Sequence, residues 1–223
     1  MKHKNRTTVI SVLTFVITGI ALMGIAGCSA ASAQAGPLER NSAGLAYHDE
    51  WRGLWEDHIT WTRTVILGIL DELPGTDAYT ERLLQNYVDM EEALRPYYRE
   101  DAEALGGLIE EHLTIAAEML TAAKGGDTAA FEEAKTRWYT NGDEIAAKMN
   151  GMNPEFWPLE ETRRMWVEHL DATLEEATTH LNGDFKGEVA AYDRIHELAL
   201  EMADFMSMGI MKQFPEKFQD PLE

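Results

Sequence analysis

The chain has 223 residues, 45% hydrophobic and 26% charged, with a formal net charge of −20 at neutral pH. So acidic a balance disfavours nucleic acid and anionic lipid headgroups as partners, while its summed field gathers cations. The single cysteine excludes an internal disulfide, and no Gly-rich phosphate loop or nucleophile elbow is present to support nucleotide or acyl chemistry.

Lys2, Lys4 and Arg6 precede an apolar run from Val9 to Ala26, which Ile25-Ala26-Gly27-Cys28 closes. This order of charge, apolar run and small residues predicts a signal peptide over residues 1–27 and an exported chain. The segment resembles a lipoprotein signal, with Cys28 as the first mature residue and the lipidation site. Two alternatives compete with it: cleavage after Ala31-Ser32-Ala33, which releases a soluble secreted protein, and a retained membrane span. The small-residue ending argues against the span. Losing the three leading cations takes the formal charge from −20 to −23. Residues 28–46, rich in Ala, Ser, Gln and Gly, read as a flexible tether. Residues 47–223 read as one domain, at about 175 residues long enough to bury a substantial core. The membrane, reached through a lipid on Cys28, is the predicted partner; nothing points to a protein partner.

Helical spacing dominates the rest, with no sustained apolar/polar alternation. A first helix is predicted from about Tyr47 to Leu73, ended by Pro74-Gly75, and a second from near Asp77 to before Pro96. A third runs from Tyr98 to Lys124 and ends at Gly125-Gly126; Asp127 caps a fourth that continues to about Asn150. After a rigid connector, Asn153 to Pro158, a fifth helix spans Leu159 to Leu181. Asn182-Gly183 turns the chain, and Asp184 caps a sixth that reaches about Lys212. If the second and third helices are one helix kinked at Pro96, the count falls to five. The expected fold is therefore all-α, an up-down bundle of five or six helices built from repeated helical hairpins.

Three segments repeat: Asp57-His58-Ile59-Thr60, Glu111-His112-Leu113-Thr114 and Glu168-His169-Leu170-Asp171. Their histidines occupy equivalent points of successive hairpins. His58 shares a seam with Trp51, Leu54, Trp61 and Val65, and His112 with Leu105, Leu108, Ile115 and Met119. On the sixth helix His196 shares one with Val189, Tyr192, Ala199, Ala203 and Met206. His169 sits at the edge between two faces. Counted from the hairpin turns, the four histidines agree in height to about 6 Å, one helical turn, and Asn141 of the fourth helix falls in the same slab. Imidazoles on facing helices suit a divalent transition metal such as zinc, copper or iron. Asp193, Glu118, Glu175 and Asn141 are the supporting or alternative ligands. Asp57, Glu111 and Glu168 point about 100° away from their histidines and are expected to orient or solvate them. The competing explanation makes each histidine an ordinary hydrogen-bonded core residue.

Other sites are weaker. There is no His-Glu-x-x-His, and only Asp193-Arg194-Ile195-His196 matches the acid-x-x-His pattern that a di-iron bundle needs twice. No Cys-x-x-Cys-His exists for covalent haem. Met202, Met206, Met208 and Met211 suggest copper(I), although methionines at helical spacing commonly fill cores.

Leu54 to Arg63, Glu111 to Glu118, Arg137 to Asn141 and Ile210 to Pro215 resemble a family of small exported bacterial helical proteins without an established activity. Some of its members carry an acetylglutamate kinase label. The resemblance spans nearly the whole mature chain and implies an all-helical exported protein; it adds no catalytic residues. The kinase label finds no nucleotide loop or α/β pattern here. No paired acid and base and no nucleophile support catalysis. The reading is an exported, lipid-anchored bundle that binds a transition metal in a histidine layer of His58, His112, His169 and His196. The alternative is a structural or small-ligand-binding envelope lipoprotein.

Overall fold

The structure, a computed structural model, describes residues 42–219. The predicted signal peptide, Cys28 and residues 28–41 of the predicted tether lie outside the described residues. Within them the chain forms six α-helices: α1 (Ser42–Leu70), α2 (Thr76–Tyr98), α3 (Glu100–Gly125), α4 (Thr128–Met152), α5 (Leu159–Leu181) and α6 (Phe185–Gln213). A short 3-10 turn, Pro215–Lys217, follows. No strand occurs among the described residues. Each helix packs on its predecessor and successor, and α6 packs back on α1, so the bundle closes into a ring in chain order. Packing of α1 on α3 places these two toward the inside.

The ends of the helices follow from local chemistry. Asp127 accepts from the Ala130 amide at 3.1 Å and Asp184 from the Gly187 amide at 3.0 Å, satisfying amides that the first turns leave unpaired. Gly126 ends α3 at φ 71°, a left-handed conformation that glycine adopts without a Cβ penalty. The corner between α2 and α3 falls at Arg99, φ 51°, three residues after Pro96. Pro96 itself lies inside the last turn of α2. Among the described residues there are thus six α-helices, α2 and α3 being separate rather than one kinked helix. The first helix begins at Ser42, so residues 42–46, expected in the tether, are helical.

The largest apolar cluster reaches up to Ile59 on α1 and Ile109 on α3, and includes Trp51, Trp55, Leu94, Ile145, Trp157 and Met202. Three smaller clusters take over from Val65, Leu113 and Leu170. Each large side chain so buried contributes about 1.5–3 kcal/mol relative to exposure. The α4–α5 connector is locked into the big cluster. Asn153 Nδ2 donates to the Gly209 carbonyl at 3.0 Å, and the fully buried Trp157 donates to the Phe205 carbonyl at 3.2 Å. The indole lies so close that a Cβ on Gly209 would stand 2.2 Å from Trp157 Nε1, so α6 needs glycine there.

A buried histidine layer between two apolar cores

His58, His112 and His169 stand at the boundary between the large cluster and the three smaller ones, and all are buried. Helical spacing puts each on the inner face of its odd-numbered helix. Their rings join a continuous aromatic array. His112 stacks on Trp138, centroids 5.1 Å apart, and meets Trp166 at 5.5 Å. Trp166 lies 6.1 Å from His169, which lies 5.8 Å from His58; Trp55 bridges that pair at 5.7 and 5.3 Å. The sequence left the face of His169 open, and the structure turns it fully inward.

Two of the three histidines are held by the same device. Asn86 Oδ1 on α2 lies 3.2 Å from His58 Nδ1, while Asn86 Nδ2 donates to the Leu54 carbonyl at 2.9 Å. Asn141 Oδ1 on α4 lies 3.0 Å from His112 Nδ1, while Asn141 Nδ2 donates to the Leu108 carbonyl at 3.0 Å. In both hairpins the carbonyl belongs to the residue four before the histidine. Because each amide nitrogen is committed as a donor, each Oδ1 must accept. Nδ1 therefore carries the hydrogen, and in the neutral ring Nε2 bears the lone pair. The third hairpin lacks the device: α6 contains no asparagine, and His169 Nδ1, fully buried, has no partner.

Among the described residues no carboxylate is bonded to an imidazole of this layer. Burial lowers the His58 pKa to about 4 against the pull of its bond to Asn86. Burial, and then repulsion from His58, lowers His112 to about 3. The same causes, with His112 added, hold His169 well below the ordinary value. All three are neutral imidazoles at physiological pH.

The fourth predicted histidine is elsewhere. His196 is half-exposed, with Nε2 2.7 Å from Glu56 Oε1. The buried line of α6 runs through Ala191, Ile195, Ala199, Met202, Ala203 and Met206, and His196 lies one residue, about 100°, off it. Val189, placed on the same seam, is 52% exposed. The supporting acids also face outward. Glu118 pairs with Arg137 at 2.6 Å, Glu175 pairs with Arg194, and Asp193 is exposed. Asp57 binds Arg82 and Glu168 binds Arg164, each at 2.5 Å. Only Glu111 touches the layer, 3.5 Å from Asn141 Nδ2. Asn141 is where the helix count put it. Asn86 was missed, although its 28-residue distance from His58 nearly matches the 29 between His112 and Asn141. Among the described residues, no group of three or more His, Cys, Asp or Glu side chains is arranged to hold a metal ion.

A second polar cluster, which helical spacing does not reveal, ties α1, α5 and α6 near the α5–α6 turn. Arg63 binds both Glu176 and Glu188, two acids nearly withdrawn from solvent. His180 places Nδ1 2.9 Å from Glu188 and Nε2 3.1 Å from Asp71. With a carboxylate on each nitrogen, both must donate and His180 is an imidazolium. Burial alone would lower its pKa, but these two bonds outweigh it and raise it. Burial pushes Glu176 up to about 7 despite Arg63.

Together these features define a ring-closed six-helix bundle with a core layer of neutral histidines. No protein-family model, curated protein or solved structure matches the chain.

Proposed function

We propose that this is an envelope binding protein whose buried layer of His58, His112 and His169 takes a transition metal on two of its imidazoles, without His196. The observation that supports this reading is the pair of asparagine anchors. They hold Nδ1–H of His58 and His112, so that in the neutral rings Nε2 carries the lone pair a metal would need. Metal-ligating histidines commonly have their second nitrogen held in this way, which fixes tautomer and ring orientation. Export and anchoring through Cys28 belong to the same proposal and rest on residues 1–28.

The test is metal content. The purified chain is incubated with zinc, copper or iron, dialysed and analysed for bound metal, beside His58→Leu, His169→Leu and His196→Leu. Retained metal that is lost in the first two variants and kept in the third supports the reading. A metal-free protein whose melting temperature ignores all three ions refutes it and leaves the histidines as core residues. Anchoring is tested separately by detergent-phase partitioning, which Cys28→Ser should abolish.

A further inference from the structure

We infer that the ion this layer takes is monovalent and soft, copper(I), held in low coordination between His58 and His169. The inference deepens the metal reading above and rests on it. It starts from charge. Glu111, which is exposed, reaches only Asn141 Nδ2 at 3.5 Å, and the other acids near the layer are committed elsewhere: Asp57 to Arg82, Glu168 to Arg164, Glu56 to His196, Glu175 to Arg194, and Glu176 with Glu188 to Arg63. Among the described residues the layer itself offers an ion neutral imidazole nitrogens, its two amide oxygens being held by His58 and His112. An ion placed there keeps its whole charge in a medium of low dielectric, and the cost grows with the square of that charge. A divalent ion therefore costs about four times as much to bury as a monovalent one of similar size. Hard cations, which require several oxygen ligands, find none.

Coordination number points the same way. Three ligating groups do not stand together among the described residues, but copper(I) accepts two imidazoles. Two rings donating to one ion at about 2 Å per bond have centroids roughly 6 Å apart, and those of His58 and His169 are 5.8 Å apart. The pair is also unequal in a useful way. Asn86 presets His58 as an Nε2 donor. His169 has no such anchor: its Nδ1 has no partner, and α6 contains no asparagine. Its Nδ1, bonded to nothing, is available to the ion. Trp55 and Trp166 wall the pair with buried aromatic surface, and a dry shell of this kind favours the lower oxidation state.

The experiment titrates the full-length chain, in detergent and without oxygen, with copper(I) against a chromophoric copper(I) chelator, and in parallel with zinc(II). X-ray absorption is then recorded on the copper-loaded protein. The expected result is stoichiometric copper(I) with a near-linear pair of imidazole nitrogens. His58→Leu and His169→Leu should weaken binding by more than about 100-fold, and Asn86→Ala, a positioning change, by about 10- to 100-fold. His196→Leu should leave it unchanged. If the leucine variants lose their helical circular dichroism, the absorption spectrum of the unaltered chain decides the ligands directly. Zinc held more tightly than copper(I), sulfur ligation, or copper retained by a folded His169→Leu overturns the inference while leaving the metal reading standing. Retention of no metal at all overturns both.

Discussion

Acid should loosen this protein through the histidine layer, and the size of the effect can be worked out for one residue at a time. His112 has a pKa of about 3 when folded and an ordinary value of 6.5 when the chain is unfolded. The folded value is the lower one, so the stabilisation is complete above pH 6.5 and is lost as pH falls from there toward 3. At pH 5 the unfolded imidazole has gained its proton and the folded one has not. At 1.36 kcal/mol per pH unit, the loss between pH 8 and pH 5 is about 2 kcal/mol. His58, at about 4 when folded, loses nearly the same amount, and His169 adds in the same direction. Two such terms are a large share of a total stability of about 5–15 kcal/mol. The assay is urea unfolding of the native chain and of His112→Phe, followed by helical circular dichroism at both pH values. The replacement carries its own fixed cost, from the unpaired Asn141 oxygen and altered packing on Trp138. The informative quantity is therefore the difference between the two proteins at pH 8 minus that at pH 5. It should be about 2 kcal/mol in the direction of a relative gain for the variant in acid. A difference that does not change with pH would show that His112 is not held neutral in the fold.

Further outcomes are expected elsewhere in the bundle. Glu176 has its pKa raised to about 7 from 4.5, so its term has the opposite sign: the stability it contributes is full below pH 4.5 and is lost as pH rises through 7. Glu176→Gln should flatten that part of the pH–stability curve, as measured by melting temperature between pH 5 and pH 8. Gly209→Ala should destabilise by about 1–3 kcal/mol through overpacking, since its Cβ would stand 2.2 Å from Trp157 Nε1; chemical denaturation measures it. Asn86→Ala should cost about 1–3 kcal/mol by stranding a buried ring N–H. Nitrogen NMR of labelled histidine should show His58 as the Nδ1–H tautomer in the native chain and a changed tautomer balance in the variant.

Most of the fold was legible because helices announce their ends locally. Asp127, Asp184, Gly126 and the connector from Asn153 to Pro158 act within a few residues of themselves, and α5 falls where the spacing predicted it, Leu159–Leu181. The heights of His58, His112, His169 and Asn141 also came through, since counting to a turn needs only the rise per residue. Rotation was harder. On α6, Tyr192 and His196 are amphipathic enough to extend the apolar stripe of Ala199, Ala203 and Met206, and only the neighbouring helices decide that Ile195 takes the inner position. The acids failed for a related reason. Whether Glu118 or Glu175 turns inward depends on Arg137 and Arg194, which sit on the adjoining helix of each hairpin. Periodicity within one helix carries no record of what stands across from it. Asn86 was recoverable by aligning the hairpins, and Glu176 and Glu188 were not, because a buried acid on a helix reads like any solvated one.

The closed ring of helices also means that the domain ends where it begins. Tyr47, in the second turn of α1, lies 5.1 Å from Phe218, and Tyr97 stacks on the same ring at 5.5 Å. Topologically the bundle is a loop cut at one point, and the position of the cut is incidental to the packing. A chain rewired to join residue 219 to residue 42 by a short linker and opened at Gly126-Asp127 would keep every helix pair and the histidine layer, while moving both termini to the opposite end of the molecule.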